Sequence, residues 1–279
     1  MNEKYTEVKK IELEILGEFM RVCDELNLRW YAGYGTALGA IRHKGFIPWD
    51  DDVDIVMPRE DYEIFCEKAQ ELLPENYFVQ TLKSEKEYYL PYAKLRRSDT
   101  TFWEKGTLYD EINHGIYVDI FPMDGYPTNF LAEKIFMLKR IVYNNFLYQS
   151  GNCKELNGYR RALVLLYKIF RGKLTRKEAA YKKEKLVKKT SYDKSELVSC
   201  MVEDFPKAEA VLEDVYGEGR EVEFENIRIR VPAKCEVYLE KLYGDYMQFP
   251  PEEQRVPIHT CVLIDAKKSY LEYDKNSLC

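Results

Sequence analysis

The chain is poor in the residues from which metal knuckles, disulfide frameworks and membrane spans are built. It has seven cysteines and three histidines in 279 residues. Cys23, Cys66, Cys153, Cys200, Cys235, Cys261 and Cys279 are odd in number and widely scattered, with no two spaced for a zinc site or a redox pair. They are expected to be reduced thiols of a cytoplasmic protein, most of them small core residues. The histidines are isolated from one another, so zinc is not expected. No apolar run approaches a membrane span; Ala162 to Tyr167, six residues, is among the longest. Met1-Asn2-Glu3-Lys4 has no apolar stretch behind it to serve as a signal peptide. Repeats and low-complexity tracts are absent. So is a basic excess: 42 Lys and Arg against 48 Asp and Glu give −6, which argues against a nucleic-acid binder.

What is present is enough apolar sequence, 46%, to bury a sizeable core. The charge is also unevenly placed. Lys154 to Thr190 carries 13 Lys and Arg and 3 Asp and Glu, a local +10 that leaves −16 on the rest. Periodicity predicts a helix over 3–27, where Val8, Ile11, Ile15, Phe19, Val22 and Leu26 form one stripe. A strand at 30–34 and a short helix at 35–42 opened by Gly35-Thr36 follow. Asp52 to Met57 alternates like a strand, 59–73 reads as a helix, and 77–82, 91–96 and 115–121 read as strands. Beyond Pro127 the pattern turns helical at 130–148, 159–170 and 176–189. A two-strand ribbon is expected over 221–231, a short helix over 235–242, and a Pro-rich tail from Gly244. No flexible linker divides these parts. One catalytic unit over 1–279 is expected, with an α/β core at about 1–127, a basic helical region at about 128–215 and a ribbon and tail at about 216–279.

The most informative stretch is Asp50-Asp51-Asp52-Val53-Asp54. Four carboxylates in five residues repel and suit a strand poorly unless something positive neutralises them. In a strand, Asp52 and Asp54 would share one face about 7 Å apart while Val53 enters the core. Asp50 has their parity and Asp51 does not. Carboxylate oxygens suit Mg²⁺ or Mn²⁺. Sixteen residues before Asp52, the Gly35-Thr36 helix start offers unpaired N–H groups, a seat for phosphate. Asp119 stands alone in the apolar run from Ile116 to Phe121 and needs a partner or a metal there.

Gly35-Thr36, Asp52-Val53-Asp54 and Asp119 together resemble the nucleotidyltransferase signature. The longer string from Gly35 to Ile55, through Arg42-His43-Lys44-Gly45-Phe46-Ile47-Pro48-Trp49-Asp50, is similar to the LicD family of phosphocholine transferases, with fukutin and the fukutin-related protein as distant animal relatives. The stretch His114 to Gly125 resembles the family's middle motif. Tyr243 to Met247 with Pro250, Pro251, Arg255 and His259 resembles its C-terminal motif. The likeness spans about residues 10–262 and is weakest in the basic helices.

The resemblance implies an α+β fold, a nucleotidyltransferase-like mixed β-sheet core flanked by helices, with a helical addition. It implies a transferase that moves phosphocholine from CDP-choline to a sugar hydroxyl of a bacterial surface glycan precursor, of teichoic acid or lipopolysaccharide type, with release of CMP. Another CDP-alcohol (ribitol phosphate or phosphoethanolamine type) is the alternative donor, and a non-catalytic ligand-binding protein the alternative class. Asp52, Asp54 and Asp119 would hold Mg²⁺, with Mn²⁺ as the substitute. Asp119 or Asp50 would accept the proton of the attacking hydroxyl. Gly35 and Thr36 would seat a phosphate. Arg42, His43, Lys44 and Lys94 are candidates for the nucleotide phosphates or the acceptor. Trp49, His114, Arg255 and His259 complete the substrate-binding set. Trp49 would stack on a base or pack under the acids, His114 would brace the loop before Asp119, and Asp245 with Arg255 would lock the tail. Asp124 is expected as a turn or cap residue. Choline needs aromatic faces, with Tyr31, Tyr34, Trp103, Tyr109 and Tyr117 as candidates. The basic region, 154–190, has Ala162, Leu163, Leu166 and Phe170 on one side. It is either a solvated face or a peripheral contact with the anionic inner leaflet that presents a lipid-linked acceptor.

Overall fold

The computed structural model describes residues 3–149, 152, 156, 158–204, 206–257 and 259–274. Cys153, Cys279 and Lys154 lie outside them. The elements in chain order are α1 (Glu3–Glu25), β1 (Tyr31–Ala32), α2 (Tyr34–His43), β2 (Asp54–Pro58), α3 (Arg59–Leu72), β3 (Tyr77–Gln80), β4 (Ala93–Arg97), β5 (Thr101–Glu104), β6 (Ile116–Gly125), α4 (Phe130–Gln149), α5 (Gly158–Arg171), α6 (Arg176–Val187), β7 (Leu197–Ser199), α7 (Pro206–Glu209), β8 (Val211–Leu212), β9 (Arg220–Phe224), β10 (Ile227–Val231), α8 (Cys235–Tyr243) and β11 (Cys261–Asp265).

A mixed sheet runs β1-β2-β6-β4-β3. β2 and β6 are parallel and the other neighbours antiparallel, with helices packed on the sheet, as expected of an α+β nucleotidyltransferase-like fold. The apolar stripe of α1 is buried: Val8, Ile15, Phe19 and Val22 join Val53, Ile55, Leu95, Val118 and Ile120 in one core that continues to Leu239 of α8. A smaller core (Leu82, Val142, Phe146, Leu147, Val164, Ala179, Ala180) holds α4, α5 and α6 together.

Three expectations change. β2 begins at Asp54 rather than Asp52, because the N–H of Asp54 is taken by the Thr36 hydroxyl at 2.8 Å and the preceding acids stay in a loop. β6 continues through Pro122 to Gly125, buried throughout. On that edge β4 pairs only as far as Ile120 and β7 starts at Asp124, so the missing N–H of Pro122 has no ladder to interrupt. The Pro-rich tail is not merely irregular: β11 returns to pair antiparallel with β5, and this brings residue 259 back to the acids near residue 51.

Candidate active site

The loop between α2 and β2 makes the site. α2 ends at His43, where Lys44 takes the left-handed conformation (φ 57°) and its N–H bonds back to the Gly39 carbonyl. A side chain at Gly39 would strike the Gly45 carbonyl, so glycine lets the loop fold back on the helix. Gly35 plays the same part for Asp50, whose carboxylate occupies the place a Gly35 side chain would fill.

Asp50, Asp51 and Asp52 converge through loop curvature. Each offers a carboxylate oxygen, and these oxygens lie within 4.8 Å of one another. The strand-parity argument that set Asp51 aside therefore fails, because these residues are not pleated. Asp51 is buried and receives the tail: His259 Nδ1 lies 3.2 Å from its Oδ1, and the His259 backbone N–H donates to Oδ2 at 3.3 Å. His259 Nδ1 is also 3.9 Å from Asp52 Oδ2. Burial alone would lower the imidazole pKa, but the bond to Asp51 and the charge of Asp52 push it up to about 9.

Asp54 and Asp119 are register partners on parallel β2 and β6, and Lys94 is opposite Asp119 on antiparallel β4. The three form a row across the sheet. Lys94 Nζ lies 2.7 Å from Asp119 Oδ1, both side chains buried, and 3.4 Å from the centre of the Tyr117 ring. The contact is a close, buried ion pair. The lone Asp119 thus has a cation beside it, and Lys94 is committed to that acid.

Negative charge in this cluster is poorly compensated. Burial first, and then Asp50, pushes the Asp52 carboxyl up to about 8. Burial and Asp52 raise Asp54 well above the carboxylate range, and burial raises Asp50. A hard divalent cation fits this donor set, since it would supply the charge that the buried acids lack. Glu12 of α1 was missed in the sequence. It is buried, its Oε2 has no hydrogen-bond partner, and burial followed by Asp52 holds its carboxyl well above the usual range. Its signal was available: it lies four residues from both Val8 and Leu16, on the core side of α1.

A cleft of about 510 Å³ opens over Asp50, Asp52 and Asp54, walled by Tyr34, Trp49, Tyr243, Tyr246 and Phe249, with Arg42 at its edge. Of the aromatic candidates only Tyr34 lines it. Tyr31 bonds to the Gly217 carbonyl, Trp103 stacks on His114, Tyr117 lies under Lys94, and Tyr109 is exposed elsewhere. The walls supplied by α8 and the tail carried no signal in the alternation pattern.

The remaining candidates divide. Arg42 donates to the carbonyls of Tyr246 (2.7 Å) and Gln248 (3.3 Å) and lies over Phe249. His43 packs edge-on to Trp49 and against Phe249. Arg255 lies over Trp49 and Phe249 and donates to the Pro250 carbonyl, while Asp245 accepts from Gln248. The expected Asp245–Arg255 lock is replaced by this aromatic clasp. Lys44 points away and pairs with Glu223 at 3.1 Å. His114 is buried in the loop before β6, its ring stacked on Trp103 and its Nε2 3.1 Å from the Asp110 carbonyl. Neither lines the cleft. The Thr36 hydroxyl is spent on Asp54, and Gly35 faces Asp50, so this helix start holds the acids. Asp124 is no turn residue: Arg59 donates to both its oxygens, at 2.8 and 2.6 Å, in a buried pair between α3 and β6.

Residues 27–150 match the family described as LicD/FKTN/FKRP, nucleotidyltransferase domain. A lipopolysaccharide cholinephosphotransferase LicD of Haemophilus influenzae is 27% identical over 259 residues, covering 88% of this chain and 92% of that protein. Residues 27–150 thus carry a LicD-type nucleotidyltransferase domain. Two uncharacterised rickettsial proteins are similar over shorter stretches. The one from Rickettsia prowazekii is 31% identical over 121 residues (43% of this chain, 41% of that protein). The one from Rickettsia typhi is 29% identical over 145 residues (51% and 42%). The LicD-family match ends at residue 150, so α8 and the tail, which wall the cleft here, lie beyond it.

Proposed function

We propose that this chain transfers phosphocholine from CDP-choline to a sugar hydroxyl of a bacterial surface-glycan precursor, with CMP leaving. The observation that carries the reading is the meeting of an undercompensated carboxylate cluster with an aromatic-walled cleft. The acids suit a cation that binds a diphosphate, and the aromatic faces suit a quaternary ammonium. The H. influenzae relative is named as a lipopolysaccharide cholinephosphotransferase, which supports phosphocholine as the group moved and a glycan as its acceptor. CDP-activated donors place the reaction in the cytoplasm. The working unit is the whole chain, since the tail residue His259 reaches into the acid loop.

Asp50, Asp52 and Asp54 line the cleft, and Asp52 and Asp54 are the residues among them that would hold Mg²⁺ or Mn²⁺. Such an ion would offset the charge of the diphosphate and of the departing CMP. The acceptor oxygen attacks the phosphorus that bears choline, the bond from that phosphorus to the CMP oxygen breaks, and the hydroxyl proton passes to a carboxylate. Asp50 suits that task better than Asp119, because it lines the cleft whereas Asp119 is paired with Lys94. Arg42, at the cleft edge, is the cation placed to meet a donor phosphate.

The test is CMP release by purified protein with Mg²⁺, a panel of CDP-alcohols and candidate glycans. Turnover with CDP-choline is expected, with a loss of about 10²–10³-fold in each of Asp52→Asn and Asp54→Asn. Release only with CDP-ribitol would replace choline in this reading. No release with any pair, together with unchanged CDP-choline binding in Asp52→Ala plus Asp54→Ala, would remove the transferase.

A further inference from the structure

α5 is mounted with its apolar stripe outward. Its sequence, GYRRALVLLYKIFR, has four basic residues and no acidic one. Ala162, Leu165, Leu166 and Ile169 recur at the steps of one helical face, flanked by Tyr159 and Phe170. In a globular protein such a face turns to the core. Here the helix is anchored from its other side, by buried Val164 and by Tyr167 against Phe146. The stripe is left in solvent: Ile169 is 74% exposed, Phe170 77% and Leu166 52%.

The face continues across a neighbouring helix. Leu166 and Phe170 share a groove of about 460 Å³ with Leu138 of α4, and the charged residues lining it are Lys139, Arg171 and Lys182, with no carboxylate among them. Isolated exposed apolar residues need no explanation, but a contiguous apolar patch with a one-sign rim does.

We propose that the outward face of α5 is an interfacial helix that docks on an anionic lipid leaflet, with Leu166, Ile169 and Phe170 entering the acyl boundary and the surrounding Arg and Lys on lipid phosphates. Charge chooses this occupant over a second copy of the chain. A two-fold contact through α5 would set its four cations against the four of its partner. The same charge gives the contact a direction. The chain carries −6 overall, so an anionic surface repels its body and attracts only the basic helices. Leu163, expected on the outward stripe, is half-buried, and Leu165 and Ile169 take its place there; a lipid contact of this face does not depend on transferase activity.

The experiment is co-sedimentation of the full chain with vesicles of phosphatidylcholine alone and of an equimolar mixture with phosphatidylglycerol, at low and high salt. The chain is expected to pellet with the anionic vesicles and to be released by salt. Ile169→Asp with Phe170→Asp, and separately Arg160→Gln with Arg161→Gln and Arg171→Gln, should each weaken binding more than about tenfold. Unchanged thermal unfolding of both variants would show that their folds are intact, since these side chains are exposed. Equal binding to neutral vesicles, or binding to neither, overturns the proposal. So does a vesicle-free dimer that Ile169→Asp with Phe170→Asp dissociates, which would give the face to a second copy.

Discussion

His259 and Asp51 are joined across 208 residues by two hydrogen bonds, one from the backbone and one at the imidazole. The pair fastens β11 and the tail to the acid loop, and it brings a cation to a cluster that otherwise repels itself. The imidazole pKa, about 9 against an ordinary 6.5, means the charged form is bound more tightly in the folded chain. Its stabilisation is therefore complete below pH 6.5 and is lost as pH rises through about 9. In metal-free protein, His259→Gln should cost about 1.5–3 kcal/mol at pH 6, and the gap from wild type should close by pH 10. Urea unfolding at a series of pH values measures this; a gap that does not change with pH refutes it.

The acids give an opposite dependence. Burial, then Asp50, pushes Asp52 up to about 8 from an ordinary 3.8, so the folded chain holds a proton that the unfolded chain releases. Stability from this group is present at low pH and declines as pH rises from about 4 through about 8. A divalent cation at these acids would cancel that penalty by binding the ionised form. Adding Mg²⁺ should raise the melting temperature more at pH 8 than at pH 5, and Asp52→Asn with Asp54→Asn should abolish the difference. A shift of equal size at both pH values, or one retained in the double variant, would rule out a cation at these carboxylates.

Thr36 is a structural test of the same site. Its hydroxyl accepts the N–H of Asp54 at 2.8 Å and so fixes where β2 begins. Thr36→Val keeps the shape and leaves that N–H without its partner, at an expected cost of about 1–3 kcal/mol. Thr36→Ser should recover most of it in denaturant unfolding. Equal stability of the Val and Ser variants would show that the hydroxyl is not needed.

Arg59 and Asp124 form a buried, doubly bonded pair. Arg59→Met alone strands a buried carboxylate and should destabilise by about 3–5 kcal/mol, whereas Arg59→Met with Asp124→Leu should be milder. A double-mutant cycle gives the coupling, and additive losses would mean that the two side chains act independently.

Much of the sheet was legible because local signals dominate there. The stripe of α1, the alternation that names β2 and β9–β10, and the apolar run of β6 each follow a period set by neighbours in sequence. The irregular parts were not. Pro122 ended the expected strand because the sequence does not show which edge of β6 lacks a partner. Asp51 was excluded on a parity that holds only for pleated backbone. Lys94 offered no sign that it would be taken by Asp119, because that pairing is a matter of strand register. Glu12 drew no notice and Asp124 appeared as a turn residue, since one carboxylate in a window says nothing of what lies opposite.

The sequence by itself determined the acid-rich string from Gly35 to Ile55, the one-sided placement of positive charge, and the amphipathic character of α5, all properties of contiguous residues. Only the tertiary structure decided which acids meet, that the tail supplies His259 and the aromatic wall, and that the apolar face of α5 points out. Those outcomes depend on contacts between distant residues, such as β11 on β5 and Val164 in the second core. The free energy that selects them comes from burial and charge compensation between segments, and neither is encoded in any single window of the chain.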